Sequence, residues 1–297
     1  MKYIKTLIVS LMCLSFVFAE SIDVKGSDTL VNLSQKLAEV YMKKNPGDSI
    51  SVTGGGSGTG IAALTNKKTD ICNSSRTLKP KEEKKFKDMG MDVRQVIIAV
   101  DALSVIVNSD NPLTSLSMEQ IAAIYKGEVT NWSDVGGPDK AITLYGRQPN
   151  SGTFDFFREH VLNGEYSNKM NQMNGNSQIV EAVRNDEAGI GYVGVAYAAK
   201  DDKPLKGLKI LKVSQTSGGI AYSPLSAELV YNGKYPIARG LQQYVNGKPK
   251  GLIGRFIEFE LSVAGQKIVE DEGFYTVNKG TWGKVNESLF KTTVKVY

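Results

Sequence analysis

Residues 96–107 of the chain read VIIAVDALSVIV. Only Asp101 and Ser104 interrupt this apolar run, which is about twice as long as an ordinary strand of five or six residues. A strand that is apolar on both faces is typical of a sheet that is covered on both sides. We therefore expect one long buried strand that leaves one sheet and continues into a second one.

Shorter strand-like runs alternate with amphipathic segments on both sides of this stretch, which is typical of an α/β protein. The predicted strands lie at residues 22–24, 50–52, 70–72, 142–145 and 189–194. The predicted helices carry apolar residues at helical spacing and lie around residues 30–40, 61–64, 79–87, 118–125, 154–161 and 256–269.

The same order of strands, turns and helices occurs before and after the central run. We infer two α/β domains, which we call lobes. Lobe I comprises residues 20–102 plus 223–297, and lobe II comprises residues 103–222 and is inserted into lobe I. The chain crosses twice between the lobes, and these two crossings are expected to form a hinge.

The first nineteen residues have the features of a secretory signal peptide. Lys2 and Lys5 precede an apolar run at residues 7–18, which ends at Ala19. The run is shorter than the roughly 18 to 20 residues that a membrane-spanning helix needs, and Cys13 lacks the small preceding residue of a lipoprotein site. We expect residues 1–19 to be cleaved, and the mature protein to be soluble and periplasmic.

Composition excludes several classes of function. The formal net charge is only +5 at pH 7, which is too small to indicate a nucleic acid or an anionic membrane as partner. Cys72 is the only cysteine after the predicted signal peptide, and His160 is the only histidine. A zinc site built by the protein is therefore not expected, nor is an internal disulfide. We predict no catalytic role and no cofactor.

Three short segments of small and hydroxyl-bearing residues stand where a predicted strand gives way to a helix. They are Ser27-Asp28-Thr29, Gly56-Ser57-Gly58-Thr59 and Ser151-Gly152-Thr153. Such a junction presents free backbone amides and the positive end of the helix dipole, and glycine lets an anion approach closely. Serine and threonine are also ordinary helix caps. The three segments together nevertheless predict a site for an oxyanion.

Two arginines follow predicted strands near these segments. Arg147 stands four residues before Ser151, and its planar guanidinium can bind two oxygens of an oxyanion at once. Arg76 follows Ser74-Ser75 at another strand end and is a second candidate. A surface ion pair is the alternative for each of them.

With these residues the chain resembles the periplasmic phosphate-binding proteins of ABC-type phosphate importers. The resemblance covers essentially all of the chain after residue 19. Its most specific part runs from Lys126 through TNWSDVGG at residues 130–137 to the segment that starts at Arg147. The resemblance implies a two-lobed periplasmic-binding-protein (Venus flytrap) fold, inorganic phosphate as the ligand, and permease subunits as the partner of a monomeric protein.

Carried over by position, the resemblance implies which residues hold phosphate. They are Ser27 or Thr29, then Ser57, Ser75, Arg76, Arg147, Ser151, Gly152 and Thr153. Many members carry an aspartate where this chain has Ser75, and that aspartate accepts the proton of the bound phosphate. Asp28 is another candidate acceptor here. Sulfate, molybdate or another tetrahedral oxyanion stays open as the ligand, and an exported phosphoesterase stays open as a different function.

Overall fold

The computed structural model describes residues 20–277 and 282–288. The predicted signal peptide, residues 1–19, lies outside the described residues. The strands are β1 (Ser21–Gly26), β2 (Ser49–Thr53), β3 (Ile71–Ser74), β4 (Val93–Asn108), β5 (Ser115–Ser117), β6 (Thr143–Arg147), β7 (Asn171–Met173), β8 (Gly189–Gly194), β9 (Ala199–Lys200), β10 (Lys203–Pro204), β11 (Leu208–Ile210), β12 (Lys212–Ser214), β13 (Ala221–Tyr222) and β14 (Ala238–Asn246).

The helices alternate with these strands. They are α1 (Val31–Lys44), α2 (Ser57–Thr65), α3 (Pro80–Asp88), α4 (Met118–Lys126), α5 (Gly152–Phe157), α6 (Asn176–Arg184), α7 (Val195–Ala198), α8 (Ala227–Tyr231), α9 (Gly251–Leu261) and α10 (Val263–Asp271). In the part of the chain that the structure describes, none of them has the length and apolar character of a membrane-spanning helix.

Strand β4 joins the two halves of the molecule, as the apolar run predicts. It is 16 residues long and buried along nearly all of its length. Its first part pairs antiparallel with β14, from Asn246 opposite Val93 to Ala238 opposite Ala102. Its second part pairs antiparallel with β8 and β11. The prediction of one strand that passes from one sheet into another is confirmed.

The sheet topology places loops from both halves at one cleft. The strand order is β2-β1-β3-β14-β4-β8-β6-β7. In lobe I, β1 runs parallel to β2 and β3, and in lobe II, β6 runs parallel to β7 and β8. Ligands of such sheets bind beyond the carboxyl ends of the strands. The loops after β1, β2, β3 and β6 occupy these positions, and they contain the segments singled out in the sequence.

Each half has its own apolar core. Leu33 and Leu37 of α1 are fully buried with Phe256 of α9 in lobe I. In lobe II, Phe157 stacks on Tyr192 with ring centroids 4.0 Å apart. The segment before β14 also contributes to the core of lobe II through Tyr235 and Ile237. We keep the division into residues 20–102 plus 223–297 and residues 103–222 as a proposal.

The predicted helix at residues 256–269 is wrong, because two helices occupy this region. Helix α9 ends at Leu261 and α10 begins at Val263. Ser262 caps α10, since its Oγ accepts a hydrogen bond from the N–H of Gly265 at 3.2 Å. A side chain at Gly265 would collide with the backbone oxygens of Phe259 and Glu260, so the two helices meet at a tight corner.

A carboxyl group lies in the core of lobe I. Glu260 is fully buried, and its Oε1 accepts a hydrogen bond from Gln243 Nε2 at 2.9 Å. Neither Glu260 Oε2 nor Gln243 Oε1 has a hydrogen-bond partner among the described residues. Burial raises the pKa of Glu260 to about 8 from its ordinary value of 4.5, although the Gln243 hydrogen bond opposes this shift. The carboxyl is therefore mainly protonated at neutral pH.

Replacing Glu260 by glutamine is expected to stabilise the protein at pH 8. The folded chain holds the Glu260 proton more tightly than the unfolded chain does. The stability that this proton contributes is therefore fully present below about pH 4.5 and is lost as the pH rises toward about 8. At pH 7 the free energy of unfolding that is lost relative to low pH, through Glu260 alone, is at most about 3 kcal/mol. Urea unfolding of both proteins at pH 5 and pH 8 measures it. Glu258→Gln, at an exposed position of the same helix, is the control, and an equal loss of stability with pH in wild type and Glu260→Gln would contradict the assignment.

Candidate oxyanion-binding site

Four fully buried hydroxyls from the two lobes meet in the cleft. Thr29 Oγ1 lies 3.0 Å from Thr153 Oγ1, which lies 3.4 Å from Ser75 Oγ. Ser75 Oγ in turn lies 3.3 Å from Ser57 Oγ. We call Thr29, Ser57, Ser75 and Thr153 the hydroxyl cluster. Thr29, Ser57 and Ser75 come from lobe I and Thr153 comes from lobe II, so the cluster forms where the lobes touch.

Gly152 allows this approach between the lobes. A Cβ built on Gly152 would lie 2.8 Å from Ser75 Oγ and closer still to Ser57 Oγ. A side chain at this position would therefore push the loop of Gly152 away from the loops that carry Ser57 and Ser75. Glycine is required here because the loops approach closely, and not because the backbone has a positive φ.

Two of the predicted serines hold the loops and do not join the hydroxyl cluster. Ser151 caps α5, because its Oγ accepts hydrogen bonds from the N–H groups of Thr153 at 3.1 Å and Phe154 at 3.4 Å. Ser27 Oγ accepts a hydrogen bond from the N–H of Thr29 at 3.3 Å. Of the two residues between which the sequence could not choose, the structure brings Thr29 into the cluster.

Arg147 is buried beside the cleft with part of its guanidinium unsatisfied. Its side chain is only 1% exposed and forms an ion pair with Asp28 through Nη2. The same Nη2 donates to the carbonyl oxygen of Asn174 at 2.9 Å. Nε and Nη1 have no hydrogen-bond partner among the described residues. Buried donors without a partner are costly, and the unpaired N–H groups on Nε and Nη1 suit a bound oxyanion.

Asp28 and Asn150 connect the two lobes at the rim of the cleft. Asp28 Oδ1 accepts from the N–H of Gly55 at 2.7 Å, and the Asp28 carbonyl accepts from Tyr197 OH at 2.7 Å. Burial raises the pKa of Tyr197 to about 12, so the phenol keeps its proton for this bond. Asn150 donates from Nδ2 to Gly55 O and accepts from the N–H of Gly58, both at 3.0 Å. The lobes are thus in contact around the hydroxyl cluster.

The structure does not bring Arg76 into the cluster, in contrast to the expectation from the sequence. Its Nη1 and Nη2 each lie 2.8 Å from a carboxylate oxygen of Glu82. Its Nε lies 3.0 Å from Asp155 Oδ2 on α5, and Lys79 Nζ lies 2.6 Å from the same oxygen. The guanidinium is held by the carboxylates of Glu82 and Asp155, so it links lobe I to α5.

The sequence did not single out Arg239, a second buried arginine at the cleft. Arg239 on β14 pairs with Asp101 on β4, with Nη2 2.8 Å from Asp101 Oδ2. The same Nη2 donates to Thr153 Oγ1 at 3.0 Å, and Nη1 donates to the Ser75 carbonyl at 3.1 Å. Asp101 was the available signal, since a carboxylate inside a buried apolar strand requires a cationic partner.

The described residues offer few side chains that could bind a metal ion or act as an activating base at this site. Among residues 20–277 and 282–288, no three histidine, cysteine, aspartate or glutamate side chains come together as a metal site. His160 stacks on Phe156, and its Nε2 lies 2.9 Å from the carbonyl oxygen of Pro236. Cys72 is buried, which raises the pKa of its thiol. What the arrangement offers is a set of hydrogen-bond donors for an anion.

Comparison with known proteins shows the family of the chain. A family model described as a PBP superfamily domain matches residues 19–263. The phosphate-binding protein PstS of Pseudomonas aeruginosa is 33% identical over 84% of this chain and 80% of its own length. The protein of the same name from Staphylococcus haemolyticus is 31% identical over 87% of this chain and 81% of its own.

Solved structures give the same result. A substrate-binding protein assigned to a phosphate ABC transporter of Clostridium perfringens, solved with bound phosphate, has a TM-score of 0.75 and 30% identity, covering 86% of this chain and 99% of its own. PstS from Borrelia burgdorferi has a TM-score of 0.57 and 28% identity over 86% of this chain and 98% of its own. The chain therefore belongs to the PBP superfamily and, within it, to the family of the phosphate-binding protein PstS.

Proposed function

We propose that this protein binds inorganic phosphate between its two lobes and delivers it to the permease subunits of an ABC-type importer. The observation that carries the proposal is Arg147, whose buried guanidinium has two nitrogen atoms, Nε and Nη1, without a partner among the described residues. It lies in the cleft that also holds the hydroxyl cluster. A tetrahedral oxyanion between the lobes would satisfy these donors together.

The cleft binds an anion through dipoles and hydrogen bonds more than through net charge. Arg147 and Arg239 are balanced by Asp28 and Asp101, with which they form ion pairs. Hydroxyls of the cluster supply further donors, and the dipole of α2 adds positive potential. Buried donors of this kind are weakly screened by salt. We propose Thr29, Ser57, Ser75, Arg147, Gly152 and Thr153 as the residues around the phosphate.

Phosphate is proposed over sulfate and molybdate because of the family. Ser75 stands where a carboxylate acceptor would favour a protonated anion. A serine hydroxyl can accept the proton of hydrogen phosphate and also donate to a fully ionised anion. The Asp28 carboxylate is the acceptor nearest to Arg147, and both of its oxygens already accept hydrogen bonds.

Calorimetric competition between phosphate and sulfate from pH 5 to pH 8 tests the ligand. Phosphate is expected to bind one-to-one and to tighten as its dianion forms near pH 6 to 7, the range of the second ionisation of phosphate esters. This follows because the cleft is lined mainly by donors. Sulfate, which does not titrate in this range, is expected to compete weakly and without pH dependence. Tighter binding of sulfate would assign the site to that anion.

We propose that the protein has no catalytic role. A phosphoesterase would activate a serine or threonine with a nearby base or metal ions. The contacts of His160 are to Phe156 and Pro236, outside the hydroxyl cluster. Incubation with a chromogenic phosphate ester is expected to show no turnover above that of a buffer control. Turnover that is lost in Ser75→Ala would overturn this part of the proposal.

We further propose that the protein acts as a monomer in the periplasm after removal of residues 1–19. The basic start and short apolar run of that segment support export. The mild formal net charge, +5 for the whole sequence including Lys2 and Lys5, gives no support to a nucleic acid as partner. Mass spectrometry of protein recovered from the periplasm is expected to show a chain that begins at Glu20.

A further inference from the structure

Arg239 occupies a place from which it touches both lobes. It lies on β14 directly opposite Asp101 on β4, the strand that passes from lobe I into lobe II. Both side chains are almost fully buried, at 3% and 0% exposure. Nε and Nη2 of Arg239 lie 3.1 and 2.8 Å from Asp101 Oδ2. The guanidinium is therefore anchored beside the point where β4 passes between the lobes.

The remaining contacts of the guanidinium fix its orientation. Nη1 donates to the carbonyl oxygen of Ser75 in lobe I at 3.1 Å, and Nη2 donates to Thr153 Oγ1 in lobe II at 3.0 Å. The Phe156 ring covers it, with the ring centroid 5.1 Å from Cζ. Asp101 is held in turn, because its Oδ1 accepts from the N–H of Val195 at 3.0 Å.

These bonds determine where the Thr153 hydroxyl can donate. A threonine hydroxyl has one proton and two lone pairs. Because Oγ1 of Thr153 accepts from Arg239, its own proton must be directed elsewhere, toward Thr29 and Ser75 in the cleft. In the same cluster, Ser57 Oγ accepts from the N–H of Ser75 at 3.1 Å. Thr153 and Ser57 thus each accept a hydrogen bond from the protein and can donate toward the cleft.

We propose that Arg239 is a positioning residue of the oxyanion site, which acts through Thr153 by turning the proton of that hydroxyl toward the bound anion. This inference rests on the proposed phosphate function. The four hydrogen bonds of Arg239 all go to protein atoms, so Arg239 is not assigned a direct contact with phosphate. The Arg239 charge also interacts with that of Arg147. Burial lowers the pKa of Arg239, the Asp101 carboxylate raises it, and the positive charge of Arg147 lowers it.

A double-mutant cycle on phosphate affinity tests this role. Arg239→Met is made together with Asp101→Asn, so that no unpaired charge is left buried. This neutral pair and Thr153→Val are each expected to weaken phosphate binding about tenfold, the value of one hydrogen bond of about 1.4 kcal/mol. If Arg239 acts through Thr153, adding the neutral pair to Thr153→Val weakens binding by less than about twofold further.

Two results would overturn the inference. One is an unchanged phosphate affinity in the neutral pair. The other is a full tenfold effect of the neutral pair in the Thr153→Val background, which would show that Arg239 acts on the anion by another route. Arg239→Lys, combined in the same way with Thr153→Val, provides a second double-mutant cycle. It keeps the positive charge beside Asp101 and removes the planar guanidinium with its several N–H donors. Wild-type protein that binds no phosphate would overturn the proposed function, whereas additive effects in a phosphate-binding protein would overturn only the role of Arg239.

Discussion

Replacing Arg147 with methionine is expected to weaken phosphate binding about a hundredfold or more while the protein stays folded. The guanidinium is buried, and Nε and Nη1 have no partner among the described residues. Truncating one member of a buried, hydrogen-bonded charge pair costs about 2 to 5 kcal/mol of binding free energy. Methionine fills much of the same space, so the loss reflects charge and donors. Isothermal titration with phosphate measures it.

The stability of the Arg147→Met protein can be judged separately from its affinity. Asp28 loses its partner, but its side chain is 21% exposed and can be hydrated, so a small change of melting temperature without phosphate is expected. Arg255→Met is the matched control, since that arginine is 48% exposed and pairs with Glu20 and Asp48. An Arg147→Met protein with wild-type phosphate affinity would remove Arg147 from the site.

Replacing Gly152 with alanine is expected to abolish tight phosphate binding by preventing closure. The new methyl group would lie 2.8 Å from Ser75 Oγ and closer to Ser57 Oγ. Because Ser57 and Ser75 belong to lobe I and Gly152 belongs to lobe II, the collision arises only when the lobes come together. Overpacking of a tight contact costs about 1 to 3 kcal/mol or more, and here it also occupies the ligand site, so the affinity should fall about a hundredfold.

Small-angle scattering distinguishes a closure defect from a simple loss of contacts. The radius of gyration of the wild type is expected to fall when phosphate is added, and that of Gly152→Ala is expected to stay the same. Gly175→Ala is the control, because a Cβ at Gly175 meets no other atom within 4 Å. Closure and tight binding in Gly152→Ala would show that the two lobes do not meet at this glycine.

The two-lobed fold could be predicted from the sequence because its main determinant is local. The apolar run of β4 is visible in the chain itself, and its length alone indicates that it serves two sheets. The corner between α9 and α10 could not be predicted in the same way. Ser262 is compatible with a continuous helix, and the turn depends on how closely Gly265 approaches the backbone of Phe259.

At the site, too, residues whose role depends on the neighbouring sequence could be predicted, and residues whose role depends on contacts distant in the sequence could not. Ser57, Arg147 and Thr153 could be identified because each lies at the end of a strand or between that strand and the first turn of the next helix. Arg76 has the same local context, but its partner Asp155 comes from a distant part of the sequence. Arg239 lies inside a strand, and only its pairing with Asp101 on β4 brings it to Thr153.

The anion that stays bound through purification tests the central claim most directly. The protein is purified in buffers without phosphate or sulfate, denatured, and the released anions are measured by ion chromatography. Phosphate is expected at close to one equivalent per chain in wild type and to be absent from Arg147→Met. Release of sulfate, or of equal amounts of phosphate from both proteins, would contradict phosphate binding by Arg147 between the lobes.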